Sequence, residues 1–147
     1  MDELKAALRI VLANKFLMYF KAQSYHWNVE GMFFPQLHTF FGDLYTEIFD
    51  AIDTFAEQIR AQNEYAPRNI EEMYEDKTVD CTNSAKNAKD MISDLSRTND
   101  QVIVSLNNLF KELQTKDEQG FMDFVAARLD VHKKHGWMLR SILKDGE

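Results

Sequence analysis

Residues 35–61 read PQLHTFFGDLYTEIFDAIDTFAEQIRA, and the stretch carries two patterns at once. At about 100° per residue, Leu37, Phe41, Leu44, Ile48, Ile52, Phe55 and Ile59 fall in one stripe from about −20° to +60°. Pro35 suits a first helical turn, and no proline or long polar run follows, so one amphipathic helix is predicted over 35–61. His38, Gly42, Phe49, Asp53, Ala56 and Glu57 fall between about 100° and 200° on the same wheel. A purely solvated face would be polar throughout. A Phe and two small residues beside a His and two acids mark a second contact surface.

The rest of the chain follows the same period. Only two prolines and five glycines occur in 147 residues, so few positions force a break. A first helix is predicted from Leu4 to Asn28, a third from Ser84 to Leu113 and a fourth from Phe121 to Leu143. The polar connection Gln62 to Thr82 contains Pro67 and a short helix over Ile70 to Tyr74. Four helices with one long middle connection predict an all-α four-helix bundle whose second and third helices run roughly parallel. That is the ferritin-like topology, although the pattern alone fits other four-helix folds. With 45% apolar and 28% charged residues, residues 1–147 read as a single globular domain.

Bulk chemistry narrows the function. Cys81 has no partner cysteine, which points to a reducing, cytoplasmic setting. The start Met-Asp-Glu-Leu-Lys lacks signal-peptide order. The most apolar run, Ile10 to Phe20, is too short for a bilayer and is broken by Asn14 and Lys15. The formal net charge is −7 and basic residues are scattered. Duplex DNA binding needs a concentrated basic patch, so it is disfavoured, while cations are attracted.

Two histidines and two acids carry the chemistry. His26 ends the first helix and His38 opens the second, with a turn through Gly31 between them, so a hairpin brings both imidazoles to one end. Asp53 and Glu57 lie i,i+4 on one helical face. The set suits Fe(II), with Zn(II), Mn(II) and Co(II) also accommodated. His38 and Asp53 are separated by fifteen residues, about 22 Å of helix. Ligand atoms must come within roughly 2–2.5 Å of an ion. One chain cannot close that gap. Two chains packed antiparallel along this helix can, and a two-fold axis then makes two sites per pair. No Glu has a His three positions later, which argues against the usual intramolecular di-iron centre.

The stretch His26-Trp27-Asn28-Val29-Glu30-Gly31, then Phe34, Leu37-His38, Tyr45 and Asp53-Thr54-Phe55-Ala56-Glu57, resembles the ferroxidase signature of the Dps-type mini-ferritins. A weaker echo is Arg128 with His135-Gly136-Trp137-Met138-Leu139-Arg140. The resemblance implies a homo-oligomer, a hollow dodecamer built from two-fold dimers. There Fe(II) is oxidised by hydrogen peroxide or oxygen and stored as ferric mineral. It implies that His26 and His38 bind iron from one subunit and Asp53 and Glu57 from its two-fold partner. Zn(II) would be a competing occupant. Trp27 would intercept stray oxidants beside the site. Acidic pores admitting ions would fall near the start of the fourth helix, with Asp123 the best positional match and Asp117 and Glu118 as contributors.

Three features depart from that pattern, one being that the usual Gly-Gly after the signature is missing from Ala61-Gln62-Asn63-Glu64. Many relatives carry an acid four positions after the second histidine, where this chain has Gly42. Asp43 points about 100° away, which leaves one iron position short of a ligand. The basic tail some relatives use on DNA is also missing. Two other functions therefore stand beside ferroxidation: a DNA-associating protective assembly, and a catalytically idle structural bundle. His132 falls on the core side of the fourth helix with His135 three residues later, a pair that offers a metal site or, in the favoured reading, a structural or surface role. Trp137 reads as a packing residue.

Overall fold

The computed structural model describes residues 2–82 and 84–144. These form six helical segments and no strand: α1 (Glu3–Asn28), α2 (Phe34–Asp50), α3 (Ile52–Ala61), α4 (Ile70–Asp76), α5 (Ala88–Thr115) and α6 (Gln119–Leu143). Helix α1, the α2–α3 pair, α5 and α6 make the four-helix bundle, and α4 sits in the crossover.

Local chemistry sets the starts. The Asp2 carboxylate accepts the Lys5 amide at 2.9 Å, Asn69 accepts from Glu72 at 2.9 Å, and Asn87 accepts from Asp90 at 2.8 Å. Such caps satisfy amides that have no helical partner. The Asn87 cap is why α5 begins at Ala88 and not at Ser84, where periodicity placed it. The single helix expected over 35–61 is divided at Ala51. There the amide turns to the Ile48 carbonyl, three residues back, at 3.2 Å, a tightened turn. The apolar stripe runs straight through the division. Phe41, Leu44, Ile48, Phe55 and Ile59 are all buried, each worth about 1.5–3 kcal/mol on burial. They meet Leu8, Leu12 and Met18 of α1, Leu95, Val102 and Leu106 of α5, and Val125 and Leu139 of α6 in one core.

The crossover is laced to α1 in register. Lys5 pairs with Glu64 at 3.2 Å, and Arg9 reaches the Asp76 carboxylate at 3.0 Å and the Tyr65 carbonyl at 2.9 Å. The buried Asn14 accepts the Thr78 and Val79 amides at 2.9 and 3.3 Å and donates to the Thr78 hydroxyl at 2.8 Å. Lys21 donates to the Asp80 carbonyl at 2.5 Å. The partners climb α1 as the crossover advances from 64 to 80. It therefore traverses the bundle, and α5 begins at the end where α2 begins. The two helices run parallel, in the ferritin-like manner. At that same end Ile142 of α6 lines a groove with Phe33 and Leu37. At the opposite end Phe55 of α3 packs on Phe121 and Phe124, at 5.8 and 5.3 Å between ring centroids. No described helix is long and apolar enough to cross a membrane.

Candidate metal centre

The chain reverses between α1 and α2 over five residues. Val29 is buried and anchors the turn, and Gly31 adopts φ +116°, which side chains rarely tolerate. The Phe34 amide closes the turn on the Gly31 carbonyl at 3.1 Å. His26 and His38 thereby come face to face, their ring centroids 3.8 Å apart and their planes 14° from parallel.

Each ring is held by the other helix. His26 Nδ1 lies 2.6 Å from the His38 carbonyl, and His38 Nδ1 lies 2.7 Å from the His26 carbonyl. A carbonyl oxygen only accepts, so both Nδ1 atoms must carry a proton and donate. The lone pairs are then left on Nε2, which has no hydrogen-bond partner among the described residues in either ring. A donating Nδ1–H with a free Nε2 is the state a metal-ligating histidine needs. The bond serves the backbone too, because the His26 carbonyl is among the last four of α1 and lacks a helical partner. Phe34 stacks on the outer face of His38 at 5.0 Å, and Tyr45 presents an edge to His26 at 5.4 Å.

The two carboxylates lie apart from this pair. Asp53 and Glu57 are exposed, one turn apart on α3, towards the end where Phe55 meets α6. Among the described residues no three His, Cys, Asp or Glu side chains of one chain converge as a metal site. The second face of the α2–α3 pair is partly taken by α1. His26 occupies the space beside Gly42, and Tyr19 leans on Phe49 at 5.0 Å. Phe49 is still 53% exposed, and Asp53 and Glu57 flank it uncovered. Trp27 is 59% exposed with its ring edge-on to Phe20 at 6.3 Å. Asp117 takes a left-handed turn (φ 54°) between α5 and α6, Glu118 is the N-cap residue of α6 without a capping bond, and Asp123 is exposed one turn in. All three stand at the end opposite the histidine pair.

Sequence reasoning singled out Arg128, His132 and His135 but did not join them, with Glu47, Asn99 and Lys15, into the second cluster that lies at the centre of the bundle. Arg128 forks onto Glu47, with Nη2 3.0 Å from Oε1 and Nη1 on Oε2. His135 Nε2 donates to the same carboxylate at 2.8 Å. Asn99 donates its amide to the His132 carbonyl at 2.9 Å, so its Oδ1, 2.8 Å from His132 Nδ1, must accept. His132 Nε2 then carries the lone pair that Lys15 Nζ meets at 2.9 Å. Lys15 and His132 are both fully buried. Burial above all drives both their pKa values well below the ordinary ones. The Arg128 charge adds to this at Lys15, and the Lys15, His135 and Arg128 charges add to it at His132. Burial alone would raise the Glu47 carboxyl, but bonds from His135 and Arg128 outweigh it and hold it at about 2. The helical spacing of Arg128, His132 and His135 was the one available signal. Trp137, expected to pack, is instead 58% exposed.

Residues 5–147 match the ferritin-like domain family. General stress protein 20U of Bacillus subtilis is 30% identical over 145 residues, covering 97% of this chain and 98% of its own. DNA protection during starvation protein 2 of Bacillus anthracis is 28% identical over 127 residues, covering 86% and 87%. Among solved structures, Dps from Staphylococcus aureus superposes with a TM-score of 0.90 at 26% identity, covering 97% of this chain and 96% of that one.

Proposed function

Because the chain belongs to the ferritin-like family, and within it to the Dps-type mini-ferritins, we propose that it oxidises Fe(II) and stores the ferric product. The observation that carries this reading is the reciprocal histidine pair. Two Nδ1–H groups are spent on backbone carbonyls, and two Nε2 lone pairs are left free at the mouth of the hairpin. Asp53 and Glu57, exposed on α3, supply the hard oxygen ligands, and they reach the histidines of a second, antiparallel copy. A two-fold dimer thus holds two sites, and a hollow dodecamer of such dimers encloses the mineral. Asp123, with Asp117 and Glu118, lines the pores that admit Fe(II).

The chemistry balances with peroxide as oxidant. Each of two Fe(II) ions loses one electron, peroxide takes both, its O–O bond breaks, and two protons complete two waters. An ion lies in the plane of the imidazole that binds it, and these rings are nearly parallel, so one ion cannot meet both lone pairs as the rings stand. The pair offers two positions, one per ring. Trp27, exposed beside His26 in the chain, takes up one-electron oxidants that escape the site. Zn(II) competes for the same ligands. The net charge of −7 disfavours DNA association, which a mobility shift at low salt, with and without Mg²⁺, would test.

The deciding experiment is anaerobic Fe(II) loading followed by peroxide or oxygen, read as ferric absorbance. The parent should oxidise iron well above a protein-free control, and His38→Ala and Asp53→Ala should fall near background. Mixing the two variants after subunit exchange should restore part of the activity, since one site of each mixed pair is intact. Parent rates in both variants would remove these residues from the site.

A further inference from the structure

Gly42 stands in the interior of α2, one turn after His38, with an ordinary helical backbone. Nothing in its conformation calls for glycine, and glycine is among the weakest formers of helix interiors. What the position lacks is room. A Cβ built there would lie 3.1 Å from both Cε1 and Nδ1 of His26, closer than side-chain contacts normally come. The same Nδ1 donates to the His38 carbonyl, a helix carbonyl one turn before Gly42. To reach that oxygen the imidazole must bring its Nδ1–Cε1 edge close against the backbone of α2, into the volume a side chain at 42 would fill. Neighbouring contacts leave the ring little room to retreat, with His38 stacked on one side at 3.8 Å and Tyr45 edge-on at 5.4 Å.

We propose that Gly42 is a positioning residue for the metal centre: the missing side chain is the seat that lets His26 hold its Nδ1–H on the His38 carbonyl and keep Nε2 as the free donor. The proposal rests on the reading of His26 as an iron ligand. It also changes what Gly42 means, from a ligand that is absent to a support that acts through His26. A bond that fixes the tautomer and orientation of a ligating histidine typically governs metal affinity by 10–100-fold. A stability gain and an affinity loss from one substitution are opposite in sign, which a purely structural glycine would not produce.

The test uses the full-length assembled protein, Gly42→Ala, His26→Ala and the double variant, with Co(II) alone as a spectroscopic stand-in for Fe(II). Dissociation constants come from the visible cobalt bands and midpoints from thermal unfolding. Gly42→Ala should weaken Co(II) binding by about tenfold. On the His26→Ala background, where the seat is empty, the same alanine should raise the midpoint by about 2–4 °C, and by less in the parent. If His26→Ala binds Co(II) like the parent, the reading of the site itself falls, and this proposal with it. If His26→Ala weakens binding but Gly42→Ala does not, the site stands and Gly42 is no support. An equal change in midpoint on both backgrounds likewise overturns the coupling, whatever its sign.

Discussion

The molecule holds two pairs of histidines, and they differ in what is left over once hydrogen bonds are counted. In His26 and His38 the Nδ1 protons go to carbonyls and both Nε2 lone pairs remain. In the central pair, His132 is used at both nitrogens, by Asn99 and Lys15, and His135 is tied through Nε2 to Glu47, its remaining Nδ1 sealed in the interior without a partner among the described residues. The open pair is half-buried at a bundle end, while the central pair is buried among Lys15 and Arg128. The residue type does not decide between ligand and strut. The partner of each nitrogen, and the charges already present, decide it. A cation approaching His132 would have to displace the Lys15 amine from Nε2 and would meet the Arg128 guanidinium.

The largest expected effect is a crossing of two readouts between these regions. Glu47→Ala leaves the largely buried Arg128 guanidinium and His135 imidazole without their carboxylate. Breaking a buried pair from one side commonly costs about 3–5 kcal/mol. Glu47 is about a third exposed, so about 2 kcal/mol is expected after allowing for solvent screening. Co(II) affinity should be unchanged. His38→Ala should do the reverse, abolishing most binding with a smaller loss of stability in chemical denaturation. If Glu47→Ala weakens Co(II) binding as much as His38→Ala does, the two regions are coupled and the contrast fails.

A smaller effect separates them by pH. Folded His132 takes a proton less readily than the unfolded chain, whose imidazole titrates near 6.5. The unfolded state therefore binds more protons below that value, and stability falls as pH drops through 6.5 and beyond, at up to about 1.4 kcal/mol per pH unit. Glu47 acts in a separate window. Its carboxyl is held at about 2 against 4.5 unfolded, so its stabilisation is intact above 4.5 and is lost between about 4.5 and 2. Unfolding midpoints of the parent and His132→Gln between pH 5 and 7 would read the difference. The variant should show a flatter dependence, and equal slopes would show that His132 is not the group excluded from protonation.

The bundle and the open pair were legible in sequence because their signals are local. A stripe of seven apolar residues at helical spacing defines the second helix, and one glycine turn joins two histidines twelve residues apart. The rise per residue alone separates His38 from Asp53. The central cluster was not legible, because its contacts are remote. Lys15 interrupts an apolar run and looks like a break, yet its partner His132 is 117 residues away. A fully buried lysine runs against the usual distribution of charge, so no local pattern flags it. Gly42 failed for a related reason. Along the chain it reads as a missing acid, and only the position of a ring from another helix shows what fills its space. The division at Ala51 has no proline or glycine to announce it.

The smallest expected effect concerns Trp27, which belongs to the open region by sequence and is 59% exposed. Trp27→Phe keeps an aromatic edge against Phe20 and removes no buried group, so stability should stay within about 0.5 kcal/mol. Oxidation of Fe(II) should proceed at the parent rate, because Trp27 offers no metal ligand. What should change is where stray oxidant lands. Under excess Fe(II) and peroxide, peptide mapping of the parent should find oxidation concentrated on Trp27, and not on the equally exposed Trp137, which lies towards the same end of the bundle but on α6. In the variant the lost tryptophan oxidation should reappear on other side chains near the hairpin, Tyr45 among them, which already touches His26 edge-on. Equal oxidation of Trp27 and Trp137 in the parent would mean that exposure alone governs the damage, and Trp27 would then lose its place beside the open histidine pair as an interceptor.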